Sequence, residues 1–479
     1  MCASDLRTEA NADLDTEVVV IGAGIAGLVA AWDIARLGYR VRVLERSDWV
    51  GGRMHAISLA GLPIELGAES FATRGGAVAA LLGELGLAAS IVTPRRRPAW
   101  TVASGASYRM PAAGALGIPV HPFAADTRRV LGLRGAWGLA LEPWRPRSLL
   151  PATASLAEIA RERLGQDVLE KLIAPVTEGV HSASPDALRL DAHPELEREY
   201  ARTGSLLRSA RLARASRSAA GGAVQSLAGG MSVLIARLVR ELRAEGAAVH
   251  TGVQDLSLDR DGKGWAVRWA GGECSAQSVV LAVPPSVSEQ LLANSDTNAE
   301  HPSAQATPCQ SNAVGTAVET VVVVVTEPRL LSAPRGTGAL IRAGHPRIRA
   351  KALTHMNAKW AWLDQAVEPG THVLRLSYGS RGGTPATEAL SGAEAAELAL
   401  SDASEVFGIR LDPDNVQAHA RARWVIPPRS SASAPAPGVV VTGEAYAGTG
   451  LASVVPHARA AARTVISALS KSHRREPPI

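Results

Sequence analysis

The stretch EVVVIGAGIAGLVAAWDIARLGYRVRVLERSDWVGGR, residues 17–53, carries the pattern that decides the fold. It opens with an apolar β-branched run, Glu17 to Ile21, which is short enough to be a strand buried on both faces. A helical segment rich in Ala, Leu, Ile and Val follows, and Gly38 ends it at the C-terminal cap. A second strand runs from Arg40 to Leu44 and is followed by Glu45. The order strand, helix, strand predicts a β-α-β unit of a parallel sheet.

The turn between the first strand and the helix holds three glycines, Gly22, Gly24 and Gly27, in G-x-G-x-x-G spacing. Such glycines provide a tight turn, room for a diphosphate beside backbone N–H groups, and close helix-on-strand contact. The helix N-terminus adds a partial positive charge, and Glu45 is placed to accept hydrogen bonds from ribose hydroxyls. The alternative is a turn with only a structural role. We predict that a dinucleotide contacts Gly22, Ala23, Gly24, Ile25, Ala26 and Gly27.

A second glycine-rich segment narrows the choice of dinucleotide. Gly51, Gly52 and Arg53 follow Glu45 after five residues. A glycine pair and an Arg at this place predict a second loop facing phosphate, which suits a cofactor stretched across the domain. The pattern therefore favours FAD over NAD, with contacts from Glu45, Arg46, Gly52 and Arg53.

These motifs resemble the FAD-dependent amine oxidase and phytoene desaturase superfamily. Five further segments are similar to one branch of it, the porphyrinogen oxidases: LGAESFATR (66–74), IAPVTEGVHSASPDALRL (173–190), TGSLLRSAR (203–211), LAGGM (227–231) and TGEAYAGTGLASVVPHARAAA (442–462). The resemblance spans residues 18–465. The first motif is shared by many flavoenzymes, whereas the middle and C-terminal ones are more specific to the branch.

The resemblance implies an α/β fold in which a Rossmann-type FAD-binding domain is built from discontinuous segments. An α+β substrate-binding domain and an inserted helical subdomain complete it. We assign residues 16–90, 220–290 and 436–468 to the FAD-binding domain. The helical, substrate-binding insertion is expected at residues 91–219 and the substrate-binding sheet domain at residues 305–430.

The resemblance also implies further site residues. Positions that match cofactor contacts of the family are Gly67, Ala68, Glu69, Ser70, Val253, Thr449, Gly450 and Leu451. Positions that match substrate contacts are Arg74, Gly179, Leu340 and His355. A guanidinium at Arg74 suits a propionate, and glycine at 179 lets a ring system approach the backbone. The alternatives are a solvated surface role for Arg74, a polar strand end for His355, and a plain sheet-to-helix turn at residues 67–70.

The activity that the resemblance implies is the FAD-dependent, six-electron oxidation of coproporphyrinogen III to coproporphyrin III in haem biosynthesis. Dioxygen is the expected acceptor, hydrogen peroxide the by-product, and the macrocycle's pyrrole N–H groups release the protons. We therefore name no catalytic side chain and no metal. Sequences with GxSxG, HExxH or a cysteine nucleophile would indicate other chemistry, and none of these motifs is present.

Three alternatives stay open at this point. In the first, the substrate is protoporphyrinogen IX, which carries two propionates, whereas coproporphyrinogen III carries four. The basic net charge of the chain favours coproporphyrinogen III. In the second, the enzyme is an amine oxidase or a carotenoid desaturase, since those enzymes share the N-terminal half of the motif pattern with this chain. Finally, the chain binds flavin without turnover, an option that rests on the short VIPPRSSASAPAPG between Trp424 and Val439, where relatives carry a longer stretch.

Composition limits the partners and the compartment. The net charge is +5, with no dense Lys/Arg tract interleaved with aromatic residues, so nucleic acid is not expected. The cysteines, Cys2, Cys274 and Cys309, form no metal spacing and no disulfide framework, which fits a reducing cytoplasm. The acidic and polar N-terminus is neither a secretory nor a transit signal. We expect at most peripheral membrane contact, and product hand-over to a ferrochelatase.

Overall fold

The computed structural model describes residues 16–151, 153–219, 224–262, 264–295, 315–380, 383–430 and 436–473. Within these ranges the chain adopts a mixed α/β fold organised around two large sheets. The cysteines Cys2 and Cys309, together with most of the polar N-terminal segment, lie outside the described residues.

One of the two sheets is parallel and has five strands. In spatial order they are Ala248–His250, Val41–Leu44, Val18–Ile21, Ser278–Leu281 and Val439–Val441. Val18 lies opposite Val41 on one side and Ser278 on the other. The sheet is therefore assembled from segments at both ends of the chain, with the strand that begins the glycine-rich stretch at its centre.

Two different layers cover the parallel sheet, and alternate residues of its central strand face each layer. Val18 faces a helical layer formed by Ile25–Ala35, Ser232–Ala244 and Leu451–His473. Val19 faces the fully buried Trp265 of an antiparallel sheet formed by Ser257–Asp261, Gly264–Trp269 and Gly272–Ala276, with helix Pro285–Ser295 beside it. Because both faces are covered, the strand is apolar at every position rather than at alternate ones.

A cluster of charged side chains ties the first helix to the last one. Arg36 lies 3.0 Å from Asp33 and 2.9 Å from Glu84. Arg459 of the C-terminal helix lies 2.7 Å from Glu84 and 3.8 Å from Asp33. Burial raises the pKa of Asp33, although the charges of Arg459 and Arg36 oppose that shift.

The second large sheet has seven strands. In spatial order they are Val416–Ile426, Thr316–Thr326, Thr371–Tyr378, Ala352–His355, Gly338–Ile341, Ala99–Ala103 and Ala106–Arg109. Helix Gly392–Phe407 packs on one face, and the hairpin Ala56–Leu59 and Leu62–Glu65 packs on the other. The run from Val318 to Val325 is rich in β-branched residues, so the sequence alone predicts a strand there. It lies inside Thr316–Thr326 and is buried from Glu319 to Val325.

Helices with a separate apolar core fill most of the stretch between residues 110 and 219. They are Ala125–Leu141, Leu156–Leu164, Gln166–Val168, the π-helix Leu169–Ile173, Ala174–His181, Pro194–Thr203 and Leu206–Ala219. An ion pair is buried among them: Arg163 Nε donates to Glu142 Oε1 at 2.9 Å, and the two side chains are 2% and 0% exposed. Glu142 also accepts the backbone N–H of Leu206 at 3.0 Å, so it caps the last of these helices.

The interpretation of residues 91–219 as helical overlooked two strands. Ala99–Ala103 and Ala106–Arg109 complete the edge of the seven-stranded sheet, and Ala99 pairs in parallel with Gly338. Their signal is weak because both are short and the second is largely exposed, so no apolar alternation is visible. The remaining regular elements are Phe71–Ala72, Ala77–Glu84, Ile91–Val92, Val224–Leu227, Met356–Lys359, Ala361–Ala366 and Glu444–Ala447, together with short 3-10 turns.

Candidate functional site

The glycine turn lies where the central parallel strand meets the first helix. Gly22 has a φ of +100°, and a Cβ at this position would lie 2.6 Å from the carbonyl oxygen of Ala282. A Cβ at Gly27 would overlap the carbonyl oxygen of Gly22, so helix and strand approach as closely as the spacing predicts. At Gly24 a Cβ would meet no atom within 4 Å, which leaves open space in front of the helix N-terminus.

Glu45 follows the second parallel strand and turns towards the glycine turn. Its Oε2 accepts the backbone N–H of Ala23 at 2.7 Å, and its Oε1 accepts that of Ser47 at 2.9 Å. The backbone N–H of Val253 donates to the carbonyl oxygen of Glu45 at 2.9 Å. Arg46 is exposed. The structure thus brings Glu45 and Val253 together at the edge where an adenosine half would lie.

The second glycine loop packs directly on the first. The N–H of Gly51 donates to the carbonyl oxygen of Ala23 at 2.8 Å, and a Cβ at Gly52 would lie 3.3 Å from the Cα of Gly24. Arg53 forms an ion pair with Glu444 of the C-terminal segment. Sequence reasoning missed Glu444, although its position three residues after the strand Val439–Val441 could have marked it as a partner for Arg53.

The loop Gly67 to Ser70 lies against the second glycine loop. Ala68 N–H donates to the carbonyl oxygen of Arg53 at 2.9 Å, and a Cβ at Gly67 would overlap that same oxygen. Behind the loop, Thr320 Oγ1 of the seven-stranded sheet donates to the carbonyl oxygen of Leu66 at 2.6 Å. The loop is therefore held between two parts of the molecule. One is the five-stranded parallel sheet with its covering layers, called the nucleotide side below, and the other is the seven-stranded sheet with the helices of residues 110–219, called the substrate side.

Glu69 in this loop is the centre of a charge cluster that sequence reasoning did not predict. It forms an ion pair with Lys359, and Arg375 Nη1 lies 3.5 Å from its Oε2. Arg375 also donates to the carbonyl oxygen of Gly67. Burial opposes ionisation of Glu69, but the charges of Lys359 and Arg375 outweigh it and lower the pKa of Glu69. No local pattern could reveal this cluster, because the two cations lie about 300 residues further along the chain.

The final loop closes the same region from the C-terminal side. Gly450 accepts the N–H of Ser453 at 3.0 Å, and Leu451 is 7% exposed in the core that includes the first helix. Thr449 precedes them, after the short helix Glu444–Ala447. Arg74 Nη2 donates to Ser453 Oγ at 2.8 Å, so Arg74 is placed beside the loop and is not simply solvated.

The four loops form a cradle that fits an extended dinucleotide. The open space at Gly24 faces the first turn of the helix, whose N–H groups have no intrahelical partners. The Glu45 carboxylate stands at one end of this edge, and the Glu69 loop and the C-terminal loop stand at the other. FAD would be held by its diphosphate at the glycine turn and by its ribose at Glu45, with the 67–70 loop and residues 449–451 beside its ring.

Two predicted substrate residues meet on the substrate side. A Cβ at Gly179 would lie 2.7 Å from Leu340 Cδ2 and 3.4 Å from the carbonyl oxygen of Lys351. Helix Ala174–His181 therefore presents bare backbone to the strand that carries Leu340. Leu340 pairs with Ala352, and the register continues through Ser377, so its side chain lies on the same sheet face as Arg375.

The structure does not bring His355 into this group. Residues 353 and 355 of its strand face the helix Gly392–Phe407, on the side of the sheet opposite Leu340. His355 is 1% exposed, and its Nε2 lies 2.9 Å from Nδ1 of His372. Burial, with a contribution from the charge of His372, lowers the pKa of His355 to about 3. Side chains alternate between the two faces of a strand, and this alternation puts His355 on the face opposite Leu340. In the structure His355 is a buried polar residue.

The model for the family described as flavin containing amine oxidoreductase matches residues 25–466 of the chain. The chain is 31% identical over 428 residues to coproporphyrinogen III oxidase of Mycobacterium leprae, covering 85% of this chain and 86% of that protein. It is 26% identical to coproporphyrinogen III oxidase of Bacillus subtilis, covering 94% and 98%.

Among solved structures, the chain is similar to a crystal structure from Exiguobacterium sp. 255-15 that is provisionally named a protoporphyrinogen oxidase. The TM-score is 0.78 at 24% identity, covering 95% of this chain and 99% of that one. This likeness concerns the fold. Across the ranges that the structure describes, no group of three or more His, Cys, Asp or Glu side chains is arranged to hold a metal ion.

Proposed function

The chain belongs to the flavin containing amine oxidoreductase family, and from this premise we propose that it oxidises coproporphyrinogen III to coproporphyrin III. FAD is its cofactor, as the family and the cradle of glycine loops agree. The relatives named coproporphyrinogen III oxidase support the substrate, since they match 85% and 94% of the chain.

The observation that carries the proposal is the meeting of Gly179 and Leu340. A tetrapyrrole is broad and largely apolar, so its site needs an aliphatic surface. Leu340 supplies that surface, and Gly179 lets it pack against the helix backbone, because a Cβ at position 179 would lie 2.7 Å from Leu340 Cδ2. Leu340 stands on the sheet face that also carries Arg375, which contacts the loop predicted to lie beside the flavin.

The chemistry divides between the cofactor and the chain. When bound by the glycine loops, Glu45 and the loop of residues 67–70, FAD would supply two-electron oxidation chemistry. Three such rounds with dioxygen as acceptor would account for the six-electron change and three hydrogen peroxide molecules per porphyrin. The chain's own residues bind and orient the macrocycle, while pyrrole N–H groups of the substrate release the protons. We propose that Arg74, whose Nη2 contacts Ser453 beside the final loop, binds one propionate.

A direct assay separates the candidate activities. The purified, FAD-loaded protein is mixed under air with coproporphyrinogen III, protoporphyrinogen IX or putrescine, and porphyrin fluorescence and peroxide are recorded. Fluorescence that grows fastest with coproporphyrinogen III supports the proposal. Preference for protoporphyrinogen IX corrects the substrate, peroxide with putrescine alone indicates an amine oxidase, and yellow protein without any oxygen consumption indicates a flavin-binding protein without turnover.

The role of Arg74 has its own test. Arg74→Ala removes a charged partner of the propionate, which is worth about 1.5–3 kcal/mol, or roughly a tenfold to hundredfold rise in KM. The flavin content should stay unchanged, since Arg74 contacts Ser453 rather than the glycine turn. An unaltered KM for coproporphyrinogen III would remove Arg74 from the substrate site.

We further propose that the protein makes peripheral contact with a membrane surface. Helix Ala125–Leu141 exposes Leu133, Trp137 and Leu141 at four-residue spacing, with Trp144 just beyond, and these side chains are 53% to 73% exposed. Exposed Arg128, Arg129, Arg134 and Arg145 flank them. Apolar and basic side chains mixed in this way suit an anionic bilayer surface. No helix in the described ranges has the length and apolar character needed to cross a bilayer.

Sedimentation with phosphatidylglycerol vesicles tests this contact. Trp137→Ser combined with Trp144→Ser should reduce the bound fraction severalfold. The matched control is Leu37→Ser combined with Leu331→Ser, two apolar residues that are 60% and 59% exposed elsewhere on the surface. Equal binding by both double variants would contradict the assignment. Cytoplasmic location and hand-over of the product to a ferrochelatase stay predictions.

A further inference from the structure

Lys351 stands beside both residues that meet at the substrate side. The N–H of Ile341, next to Leu340, donates to the carbonyl oxygen of Lys351 at 2.9 Å. A Cβ at Gly179 would lie 3.4 Å from that same oxygen. The side chain reaches the helix that carries Gly179, where Lys351 Nζ donates to Ser182 Oγ at 2.5 Å. Ser182 is 6% exposed and ends this helix, whereas Lys351 remains partly accessible.

The ammonium group of Lys351 is a partly buried cation that lacks an anionic partner. Among the described residues no carboxylate oxygen lies within ion-pair distance of Lys351 Nζ, and its one hydrogen bond is to the neutral hydroxyl of Ser182. An ammonium has three donors, so two are left to other partners. Burial alone lowers the pKa of Lys351 to about 8, with no opposing charge to restore it. A buried unpaired charge is costly and is usually retained for a partner that binds there.

Two carboxylates on neighbouring elements, Asp402 and Glu170, are already engaged. Asp402 of the helix behind the sheet accepts the N–H groups of Arg349 and Ala350, and the hydroxyl of Tyr378. Glu170 pairs with Arg342 at 2.5 Å. Burial raises the pKa of Glu178, which favours its neutral form.

Arg74 is a second cation whose charge acts on the same end of the helix. His181 precedes Ser182 in the chain, and burial, together with the charge of Arg74, lowers the pKa of His181 to about 4. Its imidazole is therefore neutral near pH 7 and adds no charge, but it reports that Arg74 lies within electrostatic reach. Lys351 thus contacts the helix end that follows Gly179, and the charge of Arg74, from another part of the fold, acts on the same end.

We propose that Lys351 binds a carboxylate group of the substrate, forming a second anion subsite in addition to the one proposed at Arg74. The inference rests on the proposed function, and it names the residue that selects for the number of acidic side chains on the macrocycle. Coproporphyrinogen III carries four propionates and protoporphyrinogen IX two, so a second cation favours the tetra-acid. The Ser182 hydroxyl holds the ammonium in place until the carboxylate arrives.

The test uses coproporphyrin III, the stable product, as the binding probe for the FAD-loaded protein. Its Kd is measured from quenching of porphyrin fluorescence at pH 7. Lys351→Met should raise the Kd about tenfold or more, the usual weight of a charged hydrogen bond. Lys351→Arg, which keeps the charge, should restore most of the affinity. The matched control is Lys171→Met, since Lys171 of the π-helix Leu169–Ile173 already has an acidic partner, Asp167, at 3.2 Å.

Two further measurements separate an electrostatic role from a structural one. The tetramethyl ester of coproporphyrin III has no carboxylates, so its Kd should be the same for wild type and Lys351→Met. In the wild type the Kd for the free acid should rise as the pH passes about 8, because the ammonium loses its proton there, and Lys351→Met should lack this rise. Flavin absorbance of all variants should match that of the wild type.

Distinct results would overturn the inference and the function beneath it. A wild type that oxidises coproporphyrinogen III, combined with an unchanged Kd for coproporphyrin III in Lys351→Met, would overturn the inference while the function stands. Equal weakening of the free acid and the ester would do so as well, because it would indicate a structural defect. A wild type that neither binds nor produces any porphyrin would overturn both.

Discussion

At the edge of the parallel sheet beside the glycine turn and in the interior of the substrate side, acidic groups are satisfied in different ways. On the nucleotide side, Glu45 accepts two backbone N–H groups from Ala23 and Ser47, both within the same β-α-β unit. On the substrate side, Glu142 and Glu319 are fully buried and are matched by arginines from other elements. Arg163 lies 2.9 Å from Glu142, and Arg421 lies 2.9 Å from Glu319 across 102 residues of sequence.

The difference shows how each side is stabilised. A parallel sheet with glycine turns depends on close backbone approach, so its sensitive positions are those with no room for a side chain. The substrate side depends on charges that have been removed from water, so its sensitive positions are those that would leave one charge unpaired. The loop at Glu69 joins the two, since it packs on the backbone of Arg53 and pairs with Lys359 and Arg375.

The largest effect is expected from breaking a buried pair on the substrate side. Arg163→Met leaves Glu142 buried without its cation, which should lower the free energy of unfolding by about 3–5 kcal/mol. Urea unfolding followed by tryptophan fluorescence measures this loss. Arg161→Met on the same helix is the control, because Arg161 is exposed and should change stability by less than about 0.5 kcal/mol. Similar losses of unfolding free energy for Arg163→Met and Arg161→Met would mean that the buried ion pair is not what stabilises the substrate side.

The next prediction tests whether close backbone packing at the glycine turn determines stability and FAD binding. Gly27→Ala forces a Cβ onto the carbonyl oxygen of Gly22, which should lower the free energy of unfolding by about 3 kcal/mol and abolish FAD binding. Thermal unfolding of the FAD-free protein and flavin absorbance after reconstitution measure the two consequences.

Gly24→Ala is the matched comparison for this turn. Its Cβ would meet no atom within 4 Å, so the FAD-free protein should keep its stability. The added methyl group would occupy the space in front of the helix N-terminus, so the affinity for FAD should fall. If Gly24→Ala destabilised the FAD-free protein as much as Gly27→Ala, the assignment of that space to the cofactor would be wrong.

A smaller effect concerns the buried histidine of the substrate sheet. Burial lowers the pKa of His355 to about 3, so the folded state keeps the imidazole neutral while the unfolded chain takes up a proton below about pH 6.5. Stability from this group is therefore complete at high pH and is lost as the pH falls. Between pH 7.5 and 5.5 the loss should be about 1.4 kcal/mol.

The variant His355→Gln cannot take up this proton. The difference in unfolding free energy between wild type and His355→Gln should therefore change by about 1.4 kcal/mol across the same pH interval, as urea titrations at both pH values would show. A difference that does not change with pH would mean that His355 is protonated in the folded protein, contrary to its burial.

The smallest effect returns to the nucleotide side and has the opposite sign. Gly83 lies in helix Ala77–Glu84, where a Cβ would meet no atom within 4 Å, so Gly83→Ala should raise the melting temperature through about 0.5–1 kcal/mol of added stability. Gly86 has a φ of +70°, and Gly86→Ala should lower the melting temperature. A gain from both substitutions would show that backbone geometry does not govern this side.

Much of the nucleotide side could be predicted from the sequence because its signals are local. The run from Glu17 to Ile21, the glycine spacing and Glu45 lie within thirty residues, and their backbone geometry follows from chain chemistry alone. The predicted strand from Val318 to Val325 was equally readable, since a long β-branched run has few alternatives. The family and the flavin followed from these motifs and the ones downstream.

The sheet face on which His355 lies could not be predicted from the local sequence. Its neighbourhood in the sequence resembles a substrate segment, but its side of the sheet depends on the register with Leu374, and that register puts it opposite Leu340. A one-residue change of phase in a strand moves a side chain to the other face, and no short motif reports that phase.

The sequence by itself determined the parallel β-α-β unit, its glycine turn and the family, because glycine spacing and apolar runs act through the backbone of one short segment. Only the tertiary structure decided that Lys359 and Arg375 hold Glu69, that Arg53 pairs with Glu444, and that Lys351 stands unpaired beside Gly179 and Leu340. The physical reason is that a charge acts over a few ångströms of space, while most of these partners are separated by hundreds of residues of chain.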